Sequence, residues 1–115
     1  MTTLRQDGTP HVVPVGVTYD AEARFARVIT GGRSAKVRHI EQSESPATVA
    51  VCQVDRGRWS TLEGVASVSH HPDEVADAVR RYAERYRQPR VNPERVVILI
   101  DVTRALGSTN LAPRT

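Results

Sequence analysis

Apolar and polar residues alternate along most of this chain, which is the two-residue period of β-strands. Together with the apolar runs, the alternation predicts six strands. The first strand precedes an Asp7-Gly8 pair typical of tight hairpins, so we expect the sequence to begin inside a strand. The other five strands are predicted at residues 11–19, 24–30, 47–54, 59–69 and 96–106. Pro14 cannot donate to a ladder, so we expect an edge or a bulge there. The strands at 47–54 and 96–106 are nearly all apolar, which predicts burial of both faces.

Two segments carry the period of helices instead. Residues 34–43 place Val37 and Ile40 on one side, and Ser34 at the start is a typical N-cap. Residues 72–87 begin with a proline and two carboxylates, and their apolar stripe comprises Val75, Val79, Tyr82 and Tyr86. Because hairpins dominate, the pattern predicts a mainly β protein, a small antiparallel barrel with two helices. Residues 107–115 are predicted to form a tail without regular structure.

Composition narrows the classes of function. A length of 115 residues predicts one domain, residues 1–115. The net charge of +3 suits an acidic ligand. The sequence lacks a basic run interleaved with aromatic residues, so nucleic-acid binding is not expected. No apolar run approaches the length of a membrane span. The single cysteine, Cys52, lies in an apolar run, which predicts a buried, reduced thiol in a cytoplasmic protein.

Residues 30–38, between the third predicted strand and the first helix, are the strongest candidate for a ligand site. Paired glycines let the backbone approach a ligand, and a helix start favours an anion. Fixed positive charge comes from Arg33, Lys36 and Arg38. The segment therefore predicts a phosphate site of a cofactor, with an ordinary turn carrying a solvated basic face as the alternative.

Protein-borne catalytic chemistry is not indicated elsewhere. The chain has no nucleophile motif and no cysteine or histidine spacing typical of a metal site. His70 and His71 are adjacent, so on a strand they would point to opposite faces. We therefore expect no metal and no catalytic side chain, and a cofactor would have to carry any redox chemistry.

Several segments, in order, resemble one family across essentially the whole chain. They are residues 3–15, 34–38, 58–66, 82–86 and 104–108. This ordered set is similar to the pyridoxamine 5′-phosphate oxidase-like split-barrel proteins. Within that superfamily it most resembles the actinobacterial branch that uses the deazaflavin coenzyme F420, including members with biliverdin reductase activity.

The resemblance implies a homodimeric, six-stranded split barrel with cofactor clefts at the subunit interface. By position, it assigns Lys36 to the cofactor phosphate, with Ser34 and Thr30 beside it. It assigns the ring's surroundings to Val13, Pro14, Val15, Trp59 and, at the end of the adjacent strand, Gln53. Two departures stand out: the usual N-terminal helix and complete first strand are absent from this sequence, and residues 107–111 lack the arginine- and histidine-bearing ending of true pyridoxamine-phosphate oxidases, which argues against that activity. In addition, Ser34 occupies a position that is often basic. Arg33 or Arg38 would have to supply that charge.

The function implied is hydride transfer from reduced deazaflavin to an unsaturated, conjugated small-molecule acceptor, for which biliverdin is a model. An FMN-dependent oxidoreductase of the same fold is one alternative, and a non-catalytic protein that binds a cofactor or pigment is another. Independently of the resemblance, the last strand, apolar on both faces, predicts a homodimer in which a partner subunit covers one side.

Overall fold

A computed structural model describes residues 1–108 of the chain. It contains seven strands and two helices. In chain order these are β1 (Thr2–Leu4), β2 (Pro10–Val12), β3 (Val17–Asp20), β4 (Phe25–Gly31), α1 (Ala35–Glu41), β5 (Ala47–Asp55), β6 (Arg58–Ser69), α2 (Pro72–Arg85) and β7 (Arg95–Gly107). The end of the predicted tail, residues 109–115, lies outside the described residues. Neither described helix is long and apolar enough to cross a membrane.

The seven strands form one antiparallel sheet in the order β2-β1-β5-β6-β7-β4-β3. Val17 and Tyr19 of the edge strand β3 pack against the core cluster that contains Val49 and Val51 of β5, although three strands lie between β3 and β5 in the sheet. The sheet therefore curls toward a barrel, while its edge strands β2 and β3 do not pair with each other in the described chain. This confirms the predicted mainly β, antiparallel split barrel.

The difference between six and seven strands comes from the segment predicted as one strand at residues 11–19. It forms β2 and β3, which are separated by residues 13–16. Val13 still donates its N–H to the Met1 carbonyl at 3.0 Å, and its carbonyl accepts from the Met1 ammonium at 2.6 Å, so only residues 14–16 leave the ladder. Pro14 has no N–H to donate, and a Cβ at Gly16 would lie 2.7 Å from Cε2 of Tyr82, so this segment must stay open for α2. The interruption leaves the backbone of residues 14–16 free to line cavities instead of a ladder.

Both helices cover the sheet, but only α1 does so through buried residues that were predicted. The buried residue of α2 is Ala78, which lies outside the predicted stripe, and Tyr86 of that stripe is 40% exposed. Val37 and Ile40 of α1 join the barrel core, while α2 packs against β3, β4 and β7.

Val97 and Ile98, on opposite faces of β7, are both completely buried within the single chain. The prediction that β7 is buried on both faces is confirmed for residues 96–100, and beyond them only Val102 is buried. The chain itself covers the buried stretch, so β7 does not call for a partner subunit.

The second half of β5 departs from the prediction of a strand buried on both faces. Val49 and Val51 are buried, whereas Cys52 is exposed and Val54 retains 69% of its accessible surface. Alternation explains the difference, because Cys52 and Val54 point to the outer face of the curled sheet. The expectation of a buried Cys52 thiol was therefore wrong.

A small polar contact joins α1 to the first hairpin. The buried hydroxyl of Thr3 and Nδ1 of His39 are hydrogen bonded at 2.8 Å, and the His11 ring packs edge-on against His39 with centroids 5.0 Å apart. Desolvation lowers the pKa of His39, and the nearby His11, Arg5 and Arg38 lower it further. The neutral imidazole is thus the form that the fold favours.

Gly64 tests how closely β6 and β7 approach each other. A Cβ at Gly64 would overlap the backbone carbonyl oxygen of Asp101, which cannot move without breaking the ladder. We expect Gly64→Ala to destabilise the protein by about 3 kcal/mol or more in urea unfolding. Gly57→Ala is the matched control, since a Cβ there meets no atom within 4 Å. Equal stability of the two variants would contradict this packing.

The His39 environment predicts a stability loss in acid. In the unfolded chain His39 titrates near its ordinary pKa of 6.5, whereas the folded protein protonates it only at lower pH. Its contribution is therefore complete above pH 6.5 and falls as the pH drops toward the folded pKa. Urea midpoints measured across this range should fall less steeply in His39→Gln than in the native protein. Identical pH dependences would show that His39 is not the group responsible.

Candidate functional site

The turn between β4 and α1 brings the predicted phosphate segment against the start of β7. The Gly32 N–H donates to the carbonyl of Glu94 at 2.8 Å, and a Cβ at Gly32 would lie 3.0 Å from that oxygen. Ser34 occupies the N-cap position, but its side chain does not cap the helix; its hydroxyl accepts from the Thr30 hydroxyl at 3.3 Å. Because α1 has only seven residues, ligand donors here must come chiefly from side chains.

A cavity of about 220 Å³ opens beside this turn, and we call it the Lys36 cavity. It brings together four of the predicted residues, namely Pro14, Val15, Thr30 and Lys36. It also includes three polar side chains that were not predicted as site residues, namely Tyr82, Asn92 and Arg95. Lining residues thus come from the 13–16 segment, β4, α1, α2 and the connector that leads into β7.

The Lys36 cavity carries positive charge without a carboxylate in its lining. Lys36 is half-buried, and in the described part of the chain it forms no salt bridge. Burial lowers the pKa of Lys36, since desolvation disfavours the ammonium form. An oxyanion in the cavity would compensate that cost, so the site suits a phosphate or a carboxylate.

The two arginines predicted to support Lys36 do not line the cavity. Arg33 is 88% exposed and pairs with Glu94 at 3.3 Å. Arg38 is also exposed, and its Nη1 donates to the carbonyl of Arg33 at 2.9 Å. Both therefore stabilise the outside of the turn in this conformation, and the second cation of the cavity is Arg95.

A second cavity, of about 410 Å³, lies on the outer face of the sheet, and we call it the outer-face cavity. Val13, Pro14, Ala50, Cys52 and Thr61 line it. Pro14 lines both this cavity and the Lys36 cavity, so the two adjoin. Together they offer a basic end and a largely apolar end, which is the chemistry required by a phosphate-bearing aromatic cofactor.

Strand alternation separates the remaining two predicted residues, Trp59 and Gln53. Trp59 pairs with Val54, two positions from the Cys52–Thr61 pair, so it shares the outer face and is 41% exposed. Gln53 pairs with Ser60 on the opposite face and lines a third cavity of about 720 Å³ between β3, the β5–β6 hairpin and the end of α2. Trp59 thus lies on the same face as the outer-face cavity without lining it, and Gln53 lies on the opposite face.

Asn92 and Arg95 were not predicted as site residues. Asn92 lies in a connector rich in proline, and Arg95 follows that connector at the start of β7. Local pattern predicted the connector and the strand that follows it correctly. The pairing of Gly31 with Arg95 is a contact over more than sixty residues, and one sequence carries no direct signal for it. A basic residue at the first position of an otherwise apolar strand was the available hint.

Comparisons with known proteins agree with this architecture. The family model described as pyridoxamine 5′-phosphate oxidase matches residues 1–108. An F420H(2)-dependent biliverdin reductase from Mycobacterium tuberculosis (strain CDC 1551 / Oshkosh) is 49% identical over 114 residues, which cover 99% of this chain and 81% of the relative.

Solved structures share the fold at lower identity. An F420 reductase superposes with a TM-score of 0.70 at 24% identity, covering 91% of this chain and 85% of the other. A conserved hypothetical protein from Mycobacterium tuberculosis superposes with a TM-score of 0.71 at 19% identity, covering 92% of this chain and 72% of the other. Family match, sequence identity and split barrel all agree, and the chain belongs to the pyridoxamine 5′-phosphate oxidase family.

Proposed function

We propose that this protein is an F420-dependent oxidoreductase that reduces an unsaturated, conjugated small molecule, of which biliverdin is the model. The observation that carries the proposal is the 49% identity, over 99% of the chain, to an F420H(2)-dependent biliverdin reductase. The cavities support it from the chemistry of their linings. The carboxylate-free Lys36 cavity suits the cofactor's phosphodiester, and the adjoining outer-face cavity suits its ring.

The reduced deazaflavin, when bound, supplies the hydride for the reaction. The residues of this chain bind the cofactor and orient it toward the acceptor. Lys36 contributes charge and Thr30 a hydroxyl to the phosphate region, while Pro14 and Val15 present backbone that β2 and β3 leave unpaired. Holding two reactants in fixed orientation lowers the barrier by making the step effectively unimolecular. No side chain is assigned as acid or base, so solvent or an arginine would supply the proton.

The direct test is turnover with chosen cofactors and acceptors. Purified protein is mixed with reduced F420 and biliverdin, and both absorption spectra are followed. We expect oxidation of the deazaflavin to match loss of biliverdin one for one. Saturable binding of FMN without binding of F420 would assign the flavin instead. Tight F420 binding without turnover across a panel of conjugated acceptors would indicate a non-catalytic binding protein.

We further propose a homodimer, on different grounds from those offered by β7. Six large, exposed apolar side chains lie on the outer face of the sheet, and we call four of them, Val12, Val54, Trp59 and Leu106, the outer-face patch; the other two are Leu4 and Val65. Register pairs place Val54 opposite Trp59, and Leu106 two positions further along the face, opposite Thr61. Val12 joins them through Thr2 and Ala50, and the patch retains exposures of 70% (Val12), 69% (Val54), 41% (Trp59) and 38% (Leu106). A second copy covering this patch would also close the outer-face cavity.

The Lys36 cavity predicts the effect of removing its amine. Lys36→Ala should weaken F420 binding by about ten- to a hundredfold, because a charge-assisted bond contributes about 1.5–3 kcal/mol. The thermal midpoint of the cofactor-free protein should not fall, since Lys36 is partly desolvated and forms no salt bridge within residues 1–108. Fluorescence titration measures the affinity. An unchanged affinity would remove Lys36 from the cofactor site.

The outer-face patch predicts a charge-sensitive dimer. Val54→Asp should raise the dimer dissociation constant at least about tenfold, because a buried, unpaired carboxylate costs well over 1.4 kcal/mol. Val91→Asp is the matched control, as Val91 is 96% exposed on the connector before β7. Light scattering over a concentration series measures both. A monomeric native protein, or a dimer insensitive to Val54→Asp, would contradict the proposal.

A further inference from the structure

We propose that Arg95, supported by Asn92, is the second phosphate-binding group of the Lys36 cavity. It thereby determines the affinity for phosphate-bearing cofactors. The inference rests on the proposed function for the identity of the cofactor, but the anion chemistry can be tested without it. The ligand group is a phosphate monoester or diester.

Strand register places Arg95 at this site. Gly31, the last residue of β4, pairs directly with Arg95, the first residue of β7. The bond from the Gly32 N–H to the Glu94 carbonyl extends that pairing into the turn that leads to α1. Lys36 lies at the start of α1, directly after this turn. The contact between the turn and the start of β7 therefore brings two cations, Lys36 and Arg95, to one cavity.

The Arg95 side chain is positioned but not neutralised. Its Nη2 donates to the carbonyl of Arg90 at 2.7 Å, which fixes the guanidinium while using one of its five N–H groups. It forms no salt bridge with any other residue that the structure describes. The neighbouring carboxylate of Glu94 pairs with Arg33 instead, so it does not occupy the Arg95 donors. A planar fork held in this way suits two oxygens of a phosphate.

Asn92 adds a neutral donor to the cavity wall. Its Oδ1 accepts from the Glu94 N–H at 2.9 Å, and this bond fixes the direction of the amide. Its Nδ2 lies 3.6 Å from the position of a Cβ built on Gly31, so the nitrogen points along the cavity wall. The lining therefore offers ammonium, guanidinium and amide donors without a carboxylate, and an oxyanion is the ligand that satisfies them.

Three variants test the assignment through cofactor affinity. Arg95→Met should weaken F420 binding about ten- to a hundredfold and reduce its dependence on salt, because one cation is lost. The KM for F420 should rise by a similar factor while kcat changes little. Arg95→Lys should retain the salt dependence but bind less tightly than the native protein, since it keeps the charge and loses the fork. Arg104→Met, on the far end of the same strand, is the control and should bind as the native protein does.

A measurement without cofactor separates this inference from the proposed function. Sodium pyrophosphate should raise the thermal midpoint of the native protein and of Arg104→Met above that in sodium chloride of equal ionic strength. The increment should be lost in Arg95→Met. If Arg95→Met does not fold, Arg95→Lys and Asn92→Ala take its place, and each should show a reduced increment.

The outcomes distinguish the two claims. Native affinity for F420 in Arg95→Met overturns the role of Arg95 and leaves the proposed function standing. If the native protein binds neither F420 nor FMN, the proposed function fails, and the pyrophosphate increments decide about Arg95 alone. An increment equal in Arg95→Met and Arg104→Met overturns the role of Arg95, and an increment absent from the native protein overturns the anion site as a whole.

Discussion

The pairing of β4 with β7 is the contact on which both the core and the candidate site depend. Its register continues without interruption from Phe25–Asp101 to Gly31–Arg95. Along it, Val28 and Ile98 are fully buried side by side, and at its end the Gly32 N–H extends the ladder by one further bond. A slip of one residue would turn the core positions outward and carry Arg95 away from Lys36. Stability and ligand chemistry are thus set by the same register.

The curled sheet also divides the chemistry between its two faces. Odd-numbered residues of β5 from Val49 to Gln53 point inward, and even-numbered ones point to the outer-face patch and the outer-face cavity. The interruption at Pro14 lets the chain between β2 and β3 border both the basic and the apolar cavity. A ligand that occupies both cavities would lie across the edge of the barrel.

Much of the fold could be predicted from the sequence because the signals for strands, turns and helices are local. Alternation, an Asp-Gly turn and the apolar spacing of Val37 and Ile40 each act within a few residues, and their elements form as predicted. The failures concern questions that local pattern cannot answer. Cys52 lies in a largely apolar run, but its burial depends on what covers the outer face. Arg33 and Arg38 lie close to Lys36 in sequence and satisfy other groups, while Arg95 reaches the cavity only through long-range pairing.

The irregularity in the β6–β7 ladder has a consequence for how this chain tolerates changes in length. Gly64 pairs with Val102 but Glu63 pairs with Arg104, so Thr103 is an extra residue that belongs to neither regular run. If residues continued to alternate regularly past Val102, the Leu106 side chain would point into the barrel. The extra residue shifts the alternation by one position, so Leu106 points outward. The strand can therefore carry or lack one residue at this point without exchanging inside and outside. At a regular position of a β-strand, the gain or loss of one residue would instead move every following side chain to the opposite face.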